Sequence, residues 1–294
     1  MRQRIASVIV LFNPEDMVIK TIQSLAKEGV GVVVVVNAAT EDMLQKISQI
    51  QGVVVIDNGS NIGLAKALNL GIVCALEKLG ARLVALFDQD SIPPPRLLSE
   101  LSSEFIDAQL PNLACLGPRL LDIKLASASY VENNYQSSTS MPRSIPTSGS
   151  VISREAFYAV GPMREDFFID GIDHEWCFRA YSKGFVVKVS DRAEMIHNMG
   201  DLGVNFFGQF KPIHRSPIRH YYIIRNTLYL IKVSYVPITW KITEILKTIR
   251  RFVAYLFVSI DSASSLRLML LGMLDGISGR LGALDDLHPG VLKK

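Results

Sequence analysis

The sequence has few cysteines and no long uncharged apolar run. These two features argue against disulfide-rich, zinc-binding and membrane-spanning proteins. Its three cysteines are Cys74, Cys115 and Cys177, and none belongs to a Cys-x-x-Cys pair. We therefore expect neither a structural zinc site nor a disulfide framework, and this cysteine content favours a reducing cytoplasm. No stretch of about 18 apolar residues is free of charge, so the sequence predicts no membrane-spanning helix.

Charged residues are also scarce. Lysine, arginine, aspartate and glutamate together make up 20% of the chain, and the net charge is +3. So small an excess does not form the clustered basic face that nucleic acids require, and we expect no nucleic-acid partner. Apolar residues reach 49% and the mean hydropathy is +0.25. This composition favours contact with a membrane or with a hydrophobic partner.

Apolar runs rich in Val, Ile and Leu alternate with helical patterns along the first part of the chain. Strands are predicted at 5–12, 30–37, 52–57 and 81–88, and helices at 17–29, 41–50 and 62–80. Fully apolar strands are typical of parallel sheets covered on both faces. The alternating order predicts an α/β fold with a doubly wound, mostly parallel sheet flanked by helices. From residue 218 onward the chain is helical and strongly apolar, which predicts a C-terminal helical appendage.

Polar residues follow each of the predicted strands. Asn13, Asn37, Asp57 and Asp88 stand where these strands end. Ligands of open α/β sheets bind beyond the carboxyl ends of the strands, so these residues are candidates for a binding site. Asn and Asp also favour the starts of loops for purely structural reasons. For Asn13, Asn37 and Asp57 the two interpretations carry equal weight.

The segment LFDQDS (86–91) places two carboxylates, Asp88 and Asp90, one residue apart directly after a buried strand. An extended i, i+2 spacing points both side chains to the same side. Oxygen ligands of this kind suit Mg²⁺ or Mn²⁺, which then bridges phosphate oxygens. The alternative is a turn or helix cap at Asp90 and Ser91.

A second acidic cluster lies in EDFFIDGIDHEWCFRA (165–180), where we expect a helix to begin near Asp173. The helix dipole favours acidic residues in a first turn, which explains some of them without any function. A general base must nevertheless be a carboxylate or similar group within hydrogen-bond reach of the reacting hydroxyl. Further along, Arg215 and Arg219 suit diphosphate recognition by a bidentate guanidinium. A solvated basic helix face explains these two arginines equally well.

Several motifs, taken in order, are similar to those of family 2 glycosyltransferases with the GT-A fold, and most of all to their bacterial rhamnosyltransferase branch. They are VIVLFNP (8–14), NIGLAKALNLGI (61–72), ALFDQDSIPP (85–94), LGPRLLD (116–122), TSGSVISREAFYAVGPM (147–163), FFIDGIDHEWCFRA (167–180) and IHNMGD (196–201). The resemblance covers 1–225 and implies a GT-A domain there, which leaves 226–294 as the C-terminal helical region. It also implies an inverting transfer from dTDP-L-rhamnose to a lipid-linked or O-antigen-type saccharide.

The resemblance also assigns the catalytic and metal-binding positions. Asp88 and Asp90 match the family's DxD motif, with Gln89 between them as in this branch, and imply Mg²⁺ or Mn²⁺ as cofactor. His197 matches a histidine that completes the metal or diphosphate site, and a loop histidine without a ligand is the alternative. Asp173 matches the catalytic base, although Ile172 stands where many members carry a first acidic residue.

Donor and acceptor positions follow from the same resemblance. Asn61, Gly63 and Asn69 match the start of the donor-side helix, where a glycine lets the backbone approach the nucleotide. Asp170, Glu175 and Trp176 match the acceptor side. One departure concerns recognition of the nucleotide base of the donor. Where many members carry Asp at the end of the second strand, this chain has Val36 followed by Asn37. We expect Asn37 or a neighbouring loop residue to contact the base instead. Asn13, Gln89, Arg215 and Arg219 complete the predicted donor site.

The C-terminal region combines apolar and aromatic residues with interspersed lysines and arginines, as interfacial helices do. We therefore expect peripheral contact with the inner face of the cell membrane. A helical interface between copies in a homo-oligomer is the alternative, and both can hold together.

Two other kinds of function compete with glycosyl transfer. A dehydrogenase needs GxGxxG after the first strand and a nucleotidyltransferase needs a glycine-rich basic loop, and LFNPED (11–16) offers neither. A non-catalytic sugar-nucleotide-binding or scaffold protein that kept the fold is the remaining alternative, because a fold does not determine a function.

Overall fold

The computed structural model describes residues 4–28, 31–122, 144–197, 201–206 and 209–292, with the backbone alone at 122, 197, 201–206 and 209–213. By packing, the chain divides into two compact units. The first unit comprises Met1–Met163 and Ala180–Asn198, and the second comprises Arg164–Arg179 and Met199–Lys294.

The first unit is built on a seven-stranded sheet. Its strands are β1 (Ile5–Phe12), β2 (Val32–Ala38), β3 (Val53–Asp57), β4 (Leu83–Asp88), β5 (Leu113–Asp122), β6 (Val151–Ser153) and β7 (Val186–His197). The spatial order is β3-β2-β1-β4-β6-β5-β7. Neighbouring strands are parallel except at β6, which pairs antiparallel with both β4 and β5. The predicted doubly wound, mostly parallel sheet is confirmed.

Helices cover the sheet as the alternating pattern predicts. They are α1 (Met17–Lys27), α2 (Glu41–Ser48), α3 (Leu64–Glu77), α4 (Leu97–Asp107) and α5 (Arg154–Val160). Thr40 and Ser153 cap α2 and α5 by accepting a backbone N–H in the first turn, the usual role of Ser and Thr at these positions. Both faces of the sheet are covered, and β2 is buried from Val32 to Val36. A continuous run of valines is therefore stable there.

The parallel register brings the carboxyl ends of four strands to one edge of the sheet. Phe12 pairs with Ala38, Val36 with Asp57, and Val10 with Asp88. This edge is where the sequence predicts a ligand.

The second unit is mainly helical. A short 3₁₀ turn (Glu165–Phe167) precedes α6 (Ile172–Ser182), whose last turn belongs to the first unit. The remaining elements are the hairpin β8 (Asp201–Phe206) and β9 (Gln209–Ile213), then α7 (Pro217–Lys232), α8 (Ile238–Val258), α9 (Ser262–Ser278) and α10 (Leu284–Leu287). The helical C-terminal appendage is confirmed, whereas the hairpin has no counterpart in the sequence prediction. No described helix is both long enough and apolar enough to cross a membrane.

The packing boundary differs from the predicted boundary at residue 225. That boundary follows the extent of the family motifs, and as a domain limit it stays a prediction. Packing instead groups Arg164–Arg179 with the C-terminal helices. The physical reason is a set of hydrogen bonds from Arg225 and Asn226 of α7 to backbone carbonyls at 166–170.

Two glycines let α9 approach α7 closely. A Cβ atom at Gly272 would lie 2.7 Å from the carbonyl oxygen of Tyr221, and one at Gly276 would lie 2.6 Å from that of Arg225. We expect Gly276→Ala to lower the free energy of unfolding of the second unit by about 1–3 kcal/mol, because the added methyl group overpacks a backbone contact. Urea unfolding followed by tryptophan fluorescence measures this directly, since both tryptophans, Trp176 and Trp240, lie in the second unit.

The matched control is Ser278→Ala, at an exposed position on the same helix. It should leave the unfolding midpoint nearly unchanged. If the two variants unfold at the same urea concentration as the wild type, close helix packing at Gly276 does not contribute to stability.

Candidate active site

The DQDS segment forms a tight turn directly after β4 in the first unit. The Ser91 N–H donates to the Asp88 carbonyl at 3.1 Å, and the Asp88 N–H donates to Ser91 Oγ at 3.0 Å. Ser91 Oγ also lies 2.6 Å from Ser148 Oγ, and both serines are 1% exposed. Buried hydroxyl groups therefore anchor this turn, and they fix the backbone that carries Asp88 and Asp90.

The two carboxylates of this turn differ in their surroundings. Asp88 is half-buried at the end of β4, whereas Asp90 is exposed and has no hydrogen-bond or ion-pair partner within the described ranges. Gln89 Oε1 accepts the Phe12 N–H at 2.8 Å, and a direct contact of Gln89 with the donor stays a prediction. Gln89 thus joins the ends of β1 and β4.

A divalent cation fits this turn through its oxygen chemistry. Mg²⁺ is commonly held by one or two carboxylates, with substrate phosphates and water supplying the other ligands. No group of three or more His, Cys, Asp or Glu side chains suited to a metal occurs among the side chains that the structure describes. The predicted His197 ends β7, and its side chain lies outside the described residues.

A network of asparagines ties the ends of β2 and β3 to the start of α3. Asn37 is 3% exposed, and its Nδ2 donates to Asn61 Oδ1 at 3.2 Å and to the Gly63 carbonyl at 3.3 Å. Its Oδ1 accepts from Asn58 Nδ2 at 3.0 Å. Sequence reasoning missed Asn58, although it stands between strand and helix in IDNGSNIG (56–63). The network positions Asn37 and Asn61, and their contact with the donor base stays a prediction.

Gly63 precedes α3 with a φ of +87°, a conformation that glycine adopts without strain. Asn69, six residues further along, is only 5% exposed and bonds both backbone groups of Met163, at 2.9 and 2.8 Å. Its amide therefore fixes a neighbouring segment of the first unit. The predicted donor contact of Asn69 is untested.

Asn13 and Asp57 occupy the ends of their strands as predicted. Asn13 is exposed with a φ of +46°, and its N–H donates to the Ala38 carbonyl at 2.8 Å. Asp57 accepts the Gly59 N–H at 2.9 Å in a local turn. For Asp57 this geometry matches the structural interpretation, while Asn13 leaves its side chain at the carboxyl edge of the sheet.

In the second unit, Asp173 stands in the first turn of α6, where the sequence places a helix start. The side chain is half-buried, and Oδ1 accepts the N–H of His174 at 2.8 Å. Within the described chain Asp173 has no ion-pair partner. A carboxylate with one oxygen fixed by a helix N–H and the other available can accept a proton from a hydroxyl group.

The loop before Asp173 has an uncommon backbone. Phe168 and Asp170 both have a φ of +64°, and Gly171 has a φ of +77°. Left-handed conformations are unfavourable for residues other than glycine, so surrounding contacts must hold this loop in place. Asn226 of α7 provides them by donating to the carbonyls of Phe167, Ile169 and Asp170, at 3.1, 2.8 and 2.8 Å.

Arg225, next to Asn226, is fully buried and holds the same loop. Its guanidinium donates to the carbonyls of Phe167 at 2.8 Å and Asp166 at 3.2 Å, and its Nε donates to Asn226 Oδ1 at 2.9 Å. Its guanidinium carbon lies 5.3 Å from the ring centroid of Tyr221 and 4.8 Å from that of Tyr222, within the range of cation–π contacts. From the sequence, no role was assigned to either Arg225 or Asn226.

The arginines predicted for the donor have different surroundings. Arg219 pairs with Asp170 through two hydrogen bonds of 2.6 and 3.3 Å. A predicted donor residue thus binds a predicted acceptor residue in this conformation. Arg215 is exposed just ahead of α7. Neither arrangement tests diphosphate binding.

Glu175 and Trp176, predicted for the acceptor side, are buried, at 0% and 1% exposure. Glu175 forms a two-pronged ion pair with Arg179, at 2.8 and 2.9 Å, and accepts the hydroxyl of Tyr235. Burial and this bond to Glu175 raise the pKa of Tyr235. The structure gives Glu175 a packing role, and a direct contact of either residue with an acceptor stays a prediction.

Comparison with known proteins identifies the family. The model of "Glycosyl transferase family 2" matches residues 7–116. The dTDP-rhamnosyl transferase RfbF of Shigella flexneri is 32% identical over 96% of this chain and 98% of its own length. The chain belongs to glycosyl transferase family 2. The predicted resemblance to the rhamnosyltransferase branch is confirmed, and the protein is a glycosyltransferase.

Solved structures show the fold of this family 2 enzyme. Residues 1–349 of S. aureus TarS, in complex with UDP-GlcNAc, superpose with a TM-score of 0.57 and 15% identity over 94% of this chain and 81% of that one. GalNAc-T7 with UDP, GalNAc and Mn²⁺ gives a TM-score of 0.54 and 12% identity over 79% of this chain and 49% of that one. The predicted GT-A-type fold is confirmed, and the dehydrogenase and nucleotidyltransferase alternatives are set aside.

Proposed function

We propose that this glycosyltransferase transfers L-rhamnose from dTDP-L-rhamnose, with inversion, to a lipid-linked or O-antigen-type saccharide in the cytoplasm. The main support for the donor is the similarity to dTDP-rhamnosyl transferase RfbF over nearly the whole of both chains. The observation that supports catalysis is the carboxylate of Asp173, which stands at a helix start without an ion-pair partner within the described chain. A lipid-linked acceptor also places the reaction at the inner face of the cell membrane.

Asp88 and Asp90 would hold Mg²⁺ or Mn²⁺ on the donor diphosphate, with His197 as a further ligand. A cation bound there neutralises the negative charge that develops on the departing diphosphate. The anchored DQDS turn supports this role, because buried hydroxyls fix its backbone while the Asp90 carboxylate stays exposed.

The chain's own residues then bind the two substrates and move one proton. Asp173 accepts the proton of the acceptor hydroxyl while that oxygen forms a bond to the anomeric carbon. The bond between this carbon and the diphosphate oxygen breaks, and the electron pair leaves with dTDP. Attack from the face opposite the leaving group inverts the configuration without a covalent sugar–enzyme intermediate.

The other predicted residues orient these groups. In this proposal Asn13, Asn37, Asn61, Gly63, Asn69 and Gln89 shape the donor side, and Arg215 and Arg219 bind phosphate oxygens as bidentate donors. Asp170, Glu175 and Trp176 shape the acceptor side. For Gln89, Asn69 and Glu175 the structure supports an indirect role, since each side chain is bonded within the protein.

Thermal stabilisation by sugar nucleotides tests both donor and cation. With Mn²⁺ or Mg²⁺, dTDP-L-rhamnose should raise the melting temperature more than UDP-GlcNAc or dTDP-glucose does. A ligand at 100 times its Kd adds about 2.7 kcal/mol of stability. EDTA should remove most of the shift, and so should Asp90→Ala, because the bridge between protein and diphosphate is lost.

Asp107→Ala removes an exposed carboxylate of the same unit and is the matched control. It should retain the full metal-dependent shift. A shift of equal size in Asp90→Ala would reject the cation assignment, and a stronger response to another sugar nucleotide would replace dTDP-L-rhamnose as the donor.

A further inference from the structure

Helix α8 has an apolar stripe along its solvent-facing side. The exposed side chains follow helical spacing and are Ile238, Ile242, Ile245, Leu246, Ile249, Val253 and Phe257. Phe257 is 83% exposed and Ile260, just beyond the helix, is 77% exposed. The opposite face packs into the second unit through Trp240, Glu244 and Tyr255. The largest exposed apolar patch of a protein is often a functional contact surface, so the stripe indicates a binding partner.

Positive charge flanks this stripe. Helix α8 contains Lys241, Lys247, Arg250 and Arg251 but only one acidic residue, Glu244. Glu244 is 5% exposed and pairs with Lys247 at 2.8 Å and Arg251 at 2.7 Å on the packed side. Lys241 and Arg250 have no ion-pair partner within the described ranges. At 100° per residue they fall on the two opposite borders of the stripe.

We propose that this face of α8 lies on an anionic lipid surface, with the apolar stripe at the boundary between headgroups and acyl chains. Lys241 and Arg250 extend from its borders to the lipid phosphates, as long basic side chains do at interfaces. The helix lies in the plane of the membrane rather than across it, in keeping with its interspersed charges. The proposal does not depend on which sugar the enzyme transfers.

A second copy of the chain fits this face less well. The stripe is roughly 31 Å long and 10 Å wide, on the order of 300 Å². A stable dimer needs about 800 Å² from each partner. Twofold pairing along the stripe would also bring the basic borders of two copies together, at a cost in repulsion. An anionic bilayer matches both the apolar stripe and the charge.

Co-sedimentation of the full chain with vesicles tests the proposal. Wild type should bind phosphatidylcholine vesicles containing phosphatidylglycerol more strongly than vesicles of phosphatidylcholine alone, and high NaCl should weaken the binding. Ile249→Ser combined with Phe257→Ser should lower binding by about tenfold or more, because two apolar anchors are lost. Lys241→Gln combined with Arg250→Gln should remove most of the preference for phosphatidylglycerol.

The matched control is Ile106→Ser, which removes an apolar side chain that is 48% exposed on α4 of the first unit. It should bind vesicles as wild type does, and all variants should keep their donor-induced melting shift, which shows that they fold. Equal vesicle binding by wild type and Ile249→Ser/Phe257→Ser would overturn the proposal. A second set of results would also overturn it. In that case light scattering shows a dimer for the wild type and a monomer for the same double variant, and the wild type does not bind vesicles.

Discussion

Replacement of Asp173 by asparagine should lower turnover by about 10²–10⁴-fold and leave donor binding nearly unchanged. Asparagine keeps the shape of the side chain and can still accept the N–H of His174, so the start of α6 should persist. It cannot take the proton of an acceptor hydroxyl. Single-turnover transfer from dTDP-L-rhamnose measures the chemical step, and calorimetric titration with dTDP in the presence of Mn²⁺ measures donor binding.

Asp286→Asn, on an exposed carboxylate of the same unit, is the matched control and should transfer at the wild-type rate. Wild-type turnover in Asp173→Asn would remove Asp173 from the role of base. A parallel loss of donor binding and turnover would indicate that Asp173 shapes the site rather than moves a proton. The two measurements therefore distinguish a chemical role from a structural one.

The sheet of the first unit was largely predictable, because its first four strands are distinct apolar runs in the sequence. Val32–Val36 is buried on both faces, and in β2, β3 and β4 the polar residues stand only at the carboxyl end of the strand. The position of β6 was not predictable, because β6 lies between β4 and β5 and pairs with strands that are distant in sequence. A three-residue strand carries too little periodicity to identify its neighbours.

The site was predictable where a residue's role depends on its place along the chain. Asp88 follows a strand and Asp173 begins a helix, and both positions can be found from local patterns. The ion pair of Glu175 could also have been predicted, because Arg179 stands four residues later on the same helix face. Such i, i+4 spacing favours an ion pair. Asn226 carried no such signal, since its three carbonyl partners lie more than fifty residues earlier.

Replacement of Asn226 by leucine, of similar shape, should lower the free energy of unfolding of the second unit by about 3–5 kcal/mol. Leucine leaves the carbonyls of Ile169 and Asp170 without their donor, and it removes the acceptor for Nε of the buried Arg225. Each buried polar group left unsatisfied costs about 1–3 kcal/mol. The left-handed residues of the loop would then lose the contacts that hold their strained backbone. Urea unfolding followed by the fluorescence of Trp176 and Trp240 reports this unit selectively.

Thr243→Val is the matched control in the same unit, because the exposed Thr243 hydroxyl donates to a single carbonyl, that of Thr239, at 2.8 Å. It should cost about 1 kcal/mol or less. An equal effect of the two substitutions would mean that the loop before Asp173 holds its conformation without Asn226. A much larger effect of Asn226→Leu, with turnover lost under conditions where the variant is still folded, would instead make Asn226 a positioning residue for the proposed base. It would act through the backbone of Asp170 and Gly171, which directly precedes α6.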